Sequence, residues 1–210
     1  LWEPNEYINI MVYPFTDSQI LGISTFPYSL KDFFLEGTQQ VSASWITLEN
    51  LSFPYCISIN SSYIYEQSTD ERINQNDAAI TLAHELGHYL GLRHVFSEGG
   101  TTSMCTDTDY CKDTPSYNRS EYEQWLNNLD KQNKYQLKDL AKRYSCEKGE
   151  YEAHNIMDYA YCFYNEITLE QRKRIRHILN YSPLIPGPKE SRIDTRGVQG
   201  RLNLPICIMK

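Results

Sequence analysis

The string HELGHYLGLRH, His84 to His94, puts three imidazoles and a carboxylate into one short stretch of a chain with only 5 His. On a helix, His84 and His88 sit one turn apart on the same face. At a rise of about 1.5 Å per residue their Cα atoms are roughly 6 Å apart, so both rings can converge on one ion. Glu85 is next to His84 and can point toward a water on that ion. Gly91 allows a sharp exit from the helix, because a left-handed cap costs glycine little. The turn can then bring His94 back as a third nitrogen ligand. Three neutral imidazoles leave one position open, which is a catalytic zinc arrangement and not a closed structural one. Such an ion acidifies water and polarises a carbonyl. Glu85 would take the proton and pass it to a leaving amine. The implied chemistry is peptide hydrolysis with Glu85 as general base. Ordinary core histidines explain the string poorly, since three ring donors and a carboxylate are costly to bury without partners. A structural zinc leaves Glu85 unexplained.

The elements that must position these groups are partly visible. Asn76 or Asp77 can cap a helix that runs through Ala78, Ala79, Ile80, Leu82, Ala83, Leu86 and Leu90. Its few polar positions predict a mostly buried helix. Tyr7–Tyr13 alternates and reads as a strand ended by Pro14. Residues 41–48 and Cys56–Ile59 read as further strands, and Gly22–Tyr28 as a loop. Residues 97–119 read as a long ordered loop, followed by helices over Glu121–Leu129 and Tyr135–Arg143. Residues 147–166 read as irregular. Thr168 with Gln171 is a capping-box signature that predicts a helix to Asn180, and Pro183, Pro186 and Pro188 end regular structure there. The tail, with LPICIM in it, reads as an extended wrap or an added strand.

The chain's 210 residues suit one domain, or one catalytic unit of two lobes. With 40% apolar and 22% charged residues it is neither a disordered chain nor a membrane span, and no run approaches bilayer length. A net charge of -7 offers no basic field for nucleic acid. The even count of 6 Cys fits an oxidising compartment: secreted, periplasmic or cell-surface. The start at Leu1 predicts removal of an upstream stretch, including a possible pro-segment. Sequons stand at Asn60 and Asn118.

Three stretches in order, HELGHYLGLRH, DYCKDTP (Asp109 to Pro115) and HNIMDY (His154 to Tyr159), resemble the pappalysin family of metzincin metallopeptidases. The resemblance extends over residues 1–180. It implies an α+β, metzincin-like (zincin-like) two-lobed catalytic domain with a mixed sheet, an active-site helix and a Met-turn. The upper lobe would span residues 1–94, the lower lobe 95–180, and a C-terminal extension 181–210. The family's strand, helix and strand before the part matching Trp2–Ile10 would be missing. By the same resemblance His84, His88 and His94 are the zinc ligands and Glu85 the general base. Met157 is then the methionine under the metal, and Tyr159 a catalytic residue that steadies the tetrahedral intermediate. It further implies structural calcium on the acidic loop, held by Asp107, Asp109, Asp113 and Thr114, a ligand type hard cations favour. It also implies disulfides Cys105–Cys146 and Cys111–Cys162, which leave Cys56 and Cys207 as the remaining pair.

The segment after Met157 departs from the family. Several relatives carry acids there that favour a basic residue after the cleaved bond. Here Ala160, Tyr161 and Cys162 follow, and Phe163 and Tyr164 are expected to line a more apolar pocket. A protein or peptide substrate would lie extended against a sheet edge, with residues 41–48 as the candidate edge. The resulting expectation is a zinc-dependent endopeptidase. The alternatives are a zinc-containing binding or assembly protein with little turnover, and a zinc amidase acting on cell-wall peptides.

Overall fold

The computed structural model describes residues 1–41, 49, 51–65, 69–70, 72, 77–97, 109–147, 149–159, 161–187 and 205–209. Four short strands form the sheet beside the site. β1 (Ile10–Tyr13) lies parallel to β5 (Ile57–Asn60). On the other side of β5 runs β2 (Gly22–Thr25), antiparallel, and β2 in turn pairs antiparallel with β10 (Ile206–Met209). The order is β1-β5-β2-β10. β5 is buried throughout, as its central place requires. β1 lies at the edge and leaves Ile10 and Val12 about half exposed, at 48% and 49%.

Helix α1 (Ala78–Tyr89) packs on β2, β5 and β10. Its apolar side joins Ile57, Ile59 and Tyr28 in the main core, with Tyr89 at the centre. The expected burial holds for Thr81, His84, Glu85, Gly87, His88 and Tyr89. Gly91 ends the helix with φ +88, the left-handed conformation foreseen for it. The segment Gly22–Tyr28 is not a loop. It supplies β2 and the start of β3 (Tyr28–Leu30), which pairs with β4 (Gln39–Val41). Its Gly, Ser and Thr residues hide the strand from a propensity reading, whereas the close packing on α1 favours small side chains. Val41 thus belongs to a separate two-stranded sheet. Residues 42–48, the rest of the proposed substrate edge, lie outside the described residues.

Beyond α1 a second four-stranded sheet has the order β6-β7-β8-β9, from β6 (Phe96–Ser97), β7 (Tyr117–Asn118), β8 (Lys142–Ser145) and β9 (Gly149–Glu152). The stretch Tyr135–Arg143 is therefore not one helix. A single turn, α3 (Leu137–Leu140), gives way to β8, and β9 occupies part of the supposedly irregular 147–166. Between β7 and α3 lies α2 (Arg119–Asn127), where Asn118 Oδ1 accepts from Glu121 N–H. The last helix, α4 (Leu169–Tyr181), has the foreseen reciprocal cap between Thr168 and Gln171. Among the described residues no helix is long and apolar enough to cross a membrane.

Two of the expected disulfides do not form. Cys56, Cys111, Cys162 and Cys207 all stay outside disulfides. Cys56 precedes β5 and Cys207 lies on β10, with β2 between them. Two strand spacings amount to about 9.6 Å, beyond the roughly 7 Å span of a bridge. Cys111 is enclosed beside Asp109 and Arg174; burial, with Asp109 adding to it, pushes its thiol up to about 12. The Cys162 sulfur sits 3.3 Å from the Asn155 carbonyl, behind Ala153 and Tyr164. Cys146 is disulfide-bonded; its expected partner, Cys105, lies outside the described residues.

Candidate active site

The helical spacing and the glycine exit bring the three imidazoles together. His84 Nε2 lies 3.2 Å from His94 Nε2, and His88 Nε2 lies 3.0 Å from the same atom. Nitrogens held about 2.05 Å from a tetrahedral zinc would stand roughly 3.3 Å apart. His84 Nδ1 donates to the Ile156 carbonyl and His88 Nδ1 to the Leu92 carbonyl, each at 2.8 Å. Those bonds place the ring hydrogens on Nδ1 and leave Nε2 as a bare lone pair. Two bare nitrogens therefore face His94, and one proton on His94 can bridge only one of them. A cation resolves the repulsion, so the donor set fits zinc. Burial drives His84 down to about 4 and holds His88 and His94 well below the usual range, which keeps all three neutral. Among the described residues this is the group of His, Cys, Asp and Glu arranged to hold a metal.

Glu85 is fully buried beside the first ligand. Its Oε2 accepts from Ser24 Oγ at 2.6 Å. Burial pushes the carboxyl up to about 8, against the opposing hydrogen bonds of Ser24 and the Met209 backbone. Ser24 was hidden in the segment read as a loop.

The Met-turn passes beneath the helix. Met157 is wholly buried with Leu92 and Val95, and its carbonyl accepts from Val95 N–H at 3.3 Å. A Cβ on Gly87 would run into Met157 Sδ, so any larger residue there must displace the buried methionine side chain. The turn is also tied to α4: Asn155 Nδ2 donates to Gln171 Oε1 at 2.8 Å, and Gln171 Nε2 returns a bond to Asn155 Oδ1 at 3.1 Å. Gly87→Ala should push Met157 off the helix. An overpacked core of this kind costs about 1–3 kcal/mol. Thermal unfolding should show that loss together with weaker zinc retention; an unchanged melting temperature would contradict the contact.

Tyr159 lies beside two of the three histidines. Its ring meets His94 edge-on with 4.6 Å between centroids and lies 5.4 Å from His84. Its hydroxyl donates to the Ile208 carbonyl at 2.7 Å. The Arg119 guanidinium covers the other side of the ring at 4.5 Å. Sequence reading missed Arg119, whose only signal is its position after the Asn118 cap. It also missed Arg174, which reaches from α4 to the Gly91 carbonyl at 3.1 Å and steadies the turn carrying His94.

The expected apolar pocket of Phe163 and Tyr164 is not at the site. Phe163 stacks on the His154 ring, and Tyr164 is buried with Ala153 and Cys162. Both follow the chain's turn away from the metal after Tyr159, where Tyr161 and Tyr164 take positive φ. On the acidic loop, Asp109 accepts from Cys111 N–H at 3.0 Å and from Thr114 Oγ at 2.7 Å. Asp113 Oδ2 accepts from Glu170 N–H at 2.9 Å at the start of α4. These bonds brace the loop from within. Asp107 lies outside the described residues.

A cleft of about 390 Å³ opens at His88 and His94, lined also by Phe26, Arg93, Arg119 and Tyr159 and by residues Pro205–Ile208. Within this α+β fold, three histidines converge from a helix and its glycine exit, with a carboxylate beside the first, as a group arranged to hold a metal ion. The profile of the peptidase family M43, described as pregnancy-associated plasma protein-A, matches residues 38–180, and the chain belongs to that family. It is 37% identical over 108 residues to an extracellular metalloprotease of Arthroderma benhamiae, covering 50% of this chain and 32% of the relative. With an extracellular metalloprotease of Arthroderma otae it shares 32% identity over 171 residues, covering 80% of this chain and 49% of the relative. The chain thus spans half or less of the length of these curated relatives. Mature mirolysin of Tannerella forsythia, solved in complex with a cleaved peptide, aligns with a TM-score of 0.47 and 20% identity over 84% of this chain and 53% of that one.

Proposed function

We propose that the chain is the catalytic unit of a secreted zinc-dependent endopeptidase that takes protein or peptide substrates in extended form. The observation that carries this reading is the convergence of three neutral Nε2 atoms beside a buried Glu85, with the Tyr159 hydroxyl already on a peptide carbonyl. Zinc, when bound by His84, His88 and His94, supplies carbonyl polarisation and a more acidic water. Glu85 accepts the proton of the attacking water and delivers it to the departing amine nitrogen. Ser24 fixes the carboxylate for both transfers. Tyr159 donates to the carbonyl oxygen as negative charge builds there, where a preplaced donor is worth most.

Secretion is supported by the names of the two fungal relatives and by the disulfide at Cys146. The net charge of -7 supports a reading without nucleic acid. Calcium on the acidic loop rests on the resemblance, with Asp109, Asp113 and Thr114 in one short segment. A rise in melting temperature when millimolar calcium is restored to chelator-treated protein is its expected signature; no rise removes it. A binding protein with little turnover is disfavoured by the retained Glu85. Digestion of casein that stops on zinc chelation and returns with zinc tests the endopeptidase reading. Intact casein at full zinc loading would defeat it, and turnover of cell-wall peptides alone would favour the amidase.

A further inference from the structure

The residues that pair with β2 at the metal end of the sheet are the chain's own residues near its C-terminus. β10 runs antiparallel to β2 with Cys207 opposite Ser24 and Met209 opposite Gly22. Its backbone is held at both ends: Leu21 N–H donates to the Met209 carbonyl at 2.7 Å, and Phe26 N–H to the Pro205 carbonyl at 2.8 Å. An extended peptide added to a sheet edge is bound in this way. The strand does not bury a full face, because Ile206 and Ile208 remain 42% and 40% exposed. What it offers the site is more specific. The Ile208 carbonyl accepts the Tyr159 hydroxyl. The next residue, Met209, pairs with Gly22 of β2, which itself packs closely against the Glu85 side chain. The Met209 side chain is buried with Leu21, Phe96, Tyr117, Tyr122 and Tyr159.

We infer that Pro205–Met209 occupies the cleft as the enzyme's own first substrate, with the Ile208–Met209 peptide bond at the reacting position. The inference rests on the endopeptidase reading and deepens it. The Ile208 carbonyl oxygen meets the hydrogen-bond donor of the site, and the residue after it is paired with the glycine that lies against Glu85, the proton carrier. In the reaction, water oxygen bonds to the Ile208 carbonyl carbon and the Ile208 C–Met209 N bond breaks. The water's proton reaches the Met209 nitrogen through Glu85. The products are a chain ending in the Ile208 carboxylate and a released piece beginning with the Met209 amine. Until the bond is cut, the buried Met209 anchors Pro205–Ile208 in the same cleft as His88 and His94, where the segment excludes other peptides; once Met209 is gone, the retained end loses that anchor. The pocket around Met209 then defines the outside substrates: it takes an unbranched apolar side chain just after the cut.

The test follows the intact mass of the zinc-loaded chain together with casein digestion, in wild type and Glu85→Gln. Wild type is expected to lose the piece that begins with Met209, with casein digestion rising as the mass falls, while Glu85→Gln keeps its full mass. Met209→Asp puts a charge into the apolar pocket, and it should abolish the cut at Ile208 and remove the lag in casein digestion. A reading independent of turnover uses zinc-free protein: deleting Pro205–Lys210 should speed hydrogen exchange at the Leu21 and Phe26 amides, which lose their acceptors. Casein digestion by a chain that stays whole, cleavage at another bond of the segment, or unchanged exchange at those amides would overturn the inference and leave the endopeptidase reading standing. Failure to cut either casein or the tail at full zinc occupancy would instead remove the endopeptidase reading itself.

Discussion

Glu85→Gln should lower peptide hydrolysis by about 10²–10⁴-fold, the usual contribution of a positioned general base, while zinc content stays that of wild type. The two effects separate because different atoms carry them. The zinc donors are the Nε2 atoms of His84, His88 and His94, and two of those rings are fixed by carbonyls of Ile156 and Leu92, not by Glu85. Glutamine keeps the shape of the side chain, and its amide oxygen can still accept from Ser24 Oγ, which now donates at 2.6 Å. What it loses is the capacity to take up a proton. The folded protein should not suffer either. Glu85 is a fully buried carboxylate that burial pushes up to about 8, so a neutral amide removes a desolvation cost and leaves the packing in place. The measurement is the initial rate on a peptide substrate, with metal analysis on the same samples. Equal rates in the two proteins would show that another group moves the proton.

The centre of this site was legible because its information is local. The spacing of His84, His88, Gly91 and His94 fixes a geometry through the helix repeat alone, and the structure bears it out. The Thr168–Gln171 cap and the strand in LPICIM are local signals of the same kind. Legibility fails where a residue's role comes from another part of the chain. Gly22–Thr25 looks like a loop by composition, yet it is a central strand because α1 needs small side chains beside Glu85. Asp109 and Asp113 look like cation ligands by type, and their spacing does not disclose the hydrogen bonds they take from Cys111, Thr114 and Glu170. Phe163 was placed near the metal by its closeness to Tyr159 in sequence, and positive φ at Tyr161 and Tyr164 turns the chain elsewhere. The Cys56–Cys207 expectation failed for a related reason, since pairing depends on which strand lies between two cysteines.

Arg143 is a residue whose importance the sequence hides, and its removal should produce a large stability loss. Its guanidinium is wholly buried, lies 3.7 Å from the centre of the Tyr122 ring, and faces Asp158 Oδ2 with Nε at 3.5 Å. It donates to the Leu140 carbonyl at 2.9 Å and to the Tyr159 carbonyl at 3.2 Å. Asp158, equally buried, accepts from the Tyr117 hydroxyl at 2.5 Å and from Tyr159 N–H at 2.7 Å. Burial pushes the Asp158 carboxyl upward, and the Arg143 charge and those two hydrogen bonds oppose it. Removing one partner leaves the other charge buried without its counterion, a change that typically costs about 3–5 kcal/mol. In a domain of this size that corresponds to a fall in melting temperature of roughly 6–20 °C. Arg143→Met and Asp158→Asn should each show it. The double change should recover part of the loss, because no isolated charge then remains. The pair also grips both sides of Tyr159, its N–H through Asp158 and its carbonyl through Arg143. Each single variant should therefore lose turnover at temperatures where it is still folded, with kcat falling more than KM rises, since the Tyr159 hydroxyl acts on charge that develops during the reaction. Additive losses in the double variant would show that the two side chains act separately, and an unchanged kcat in folded single variants would detach the pair from the site.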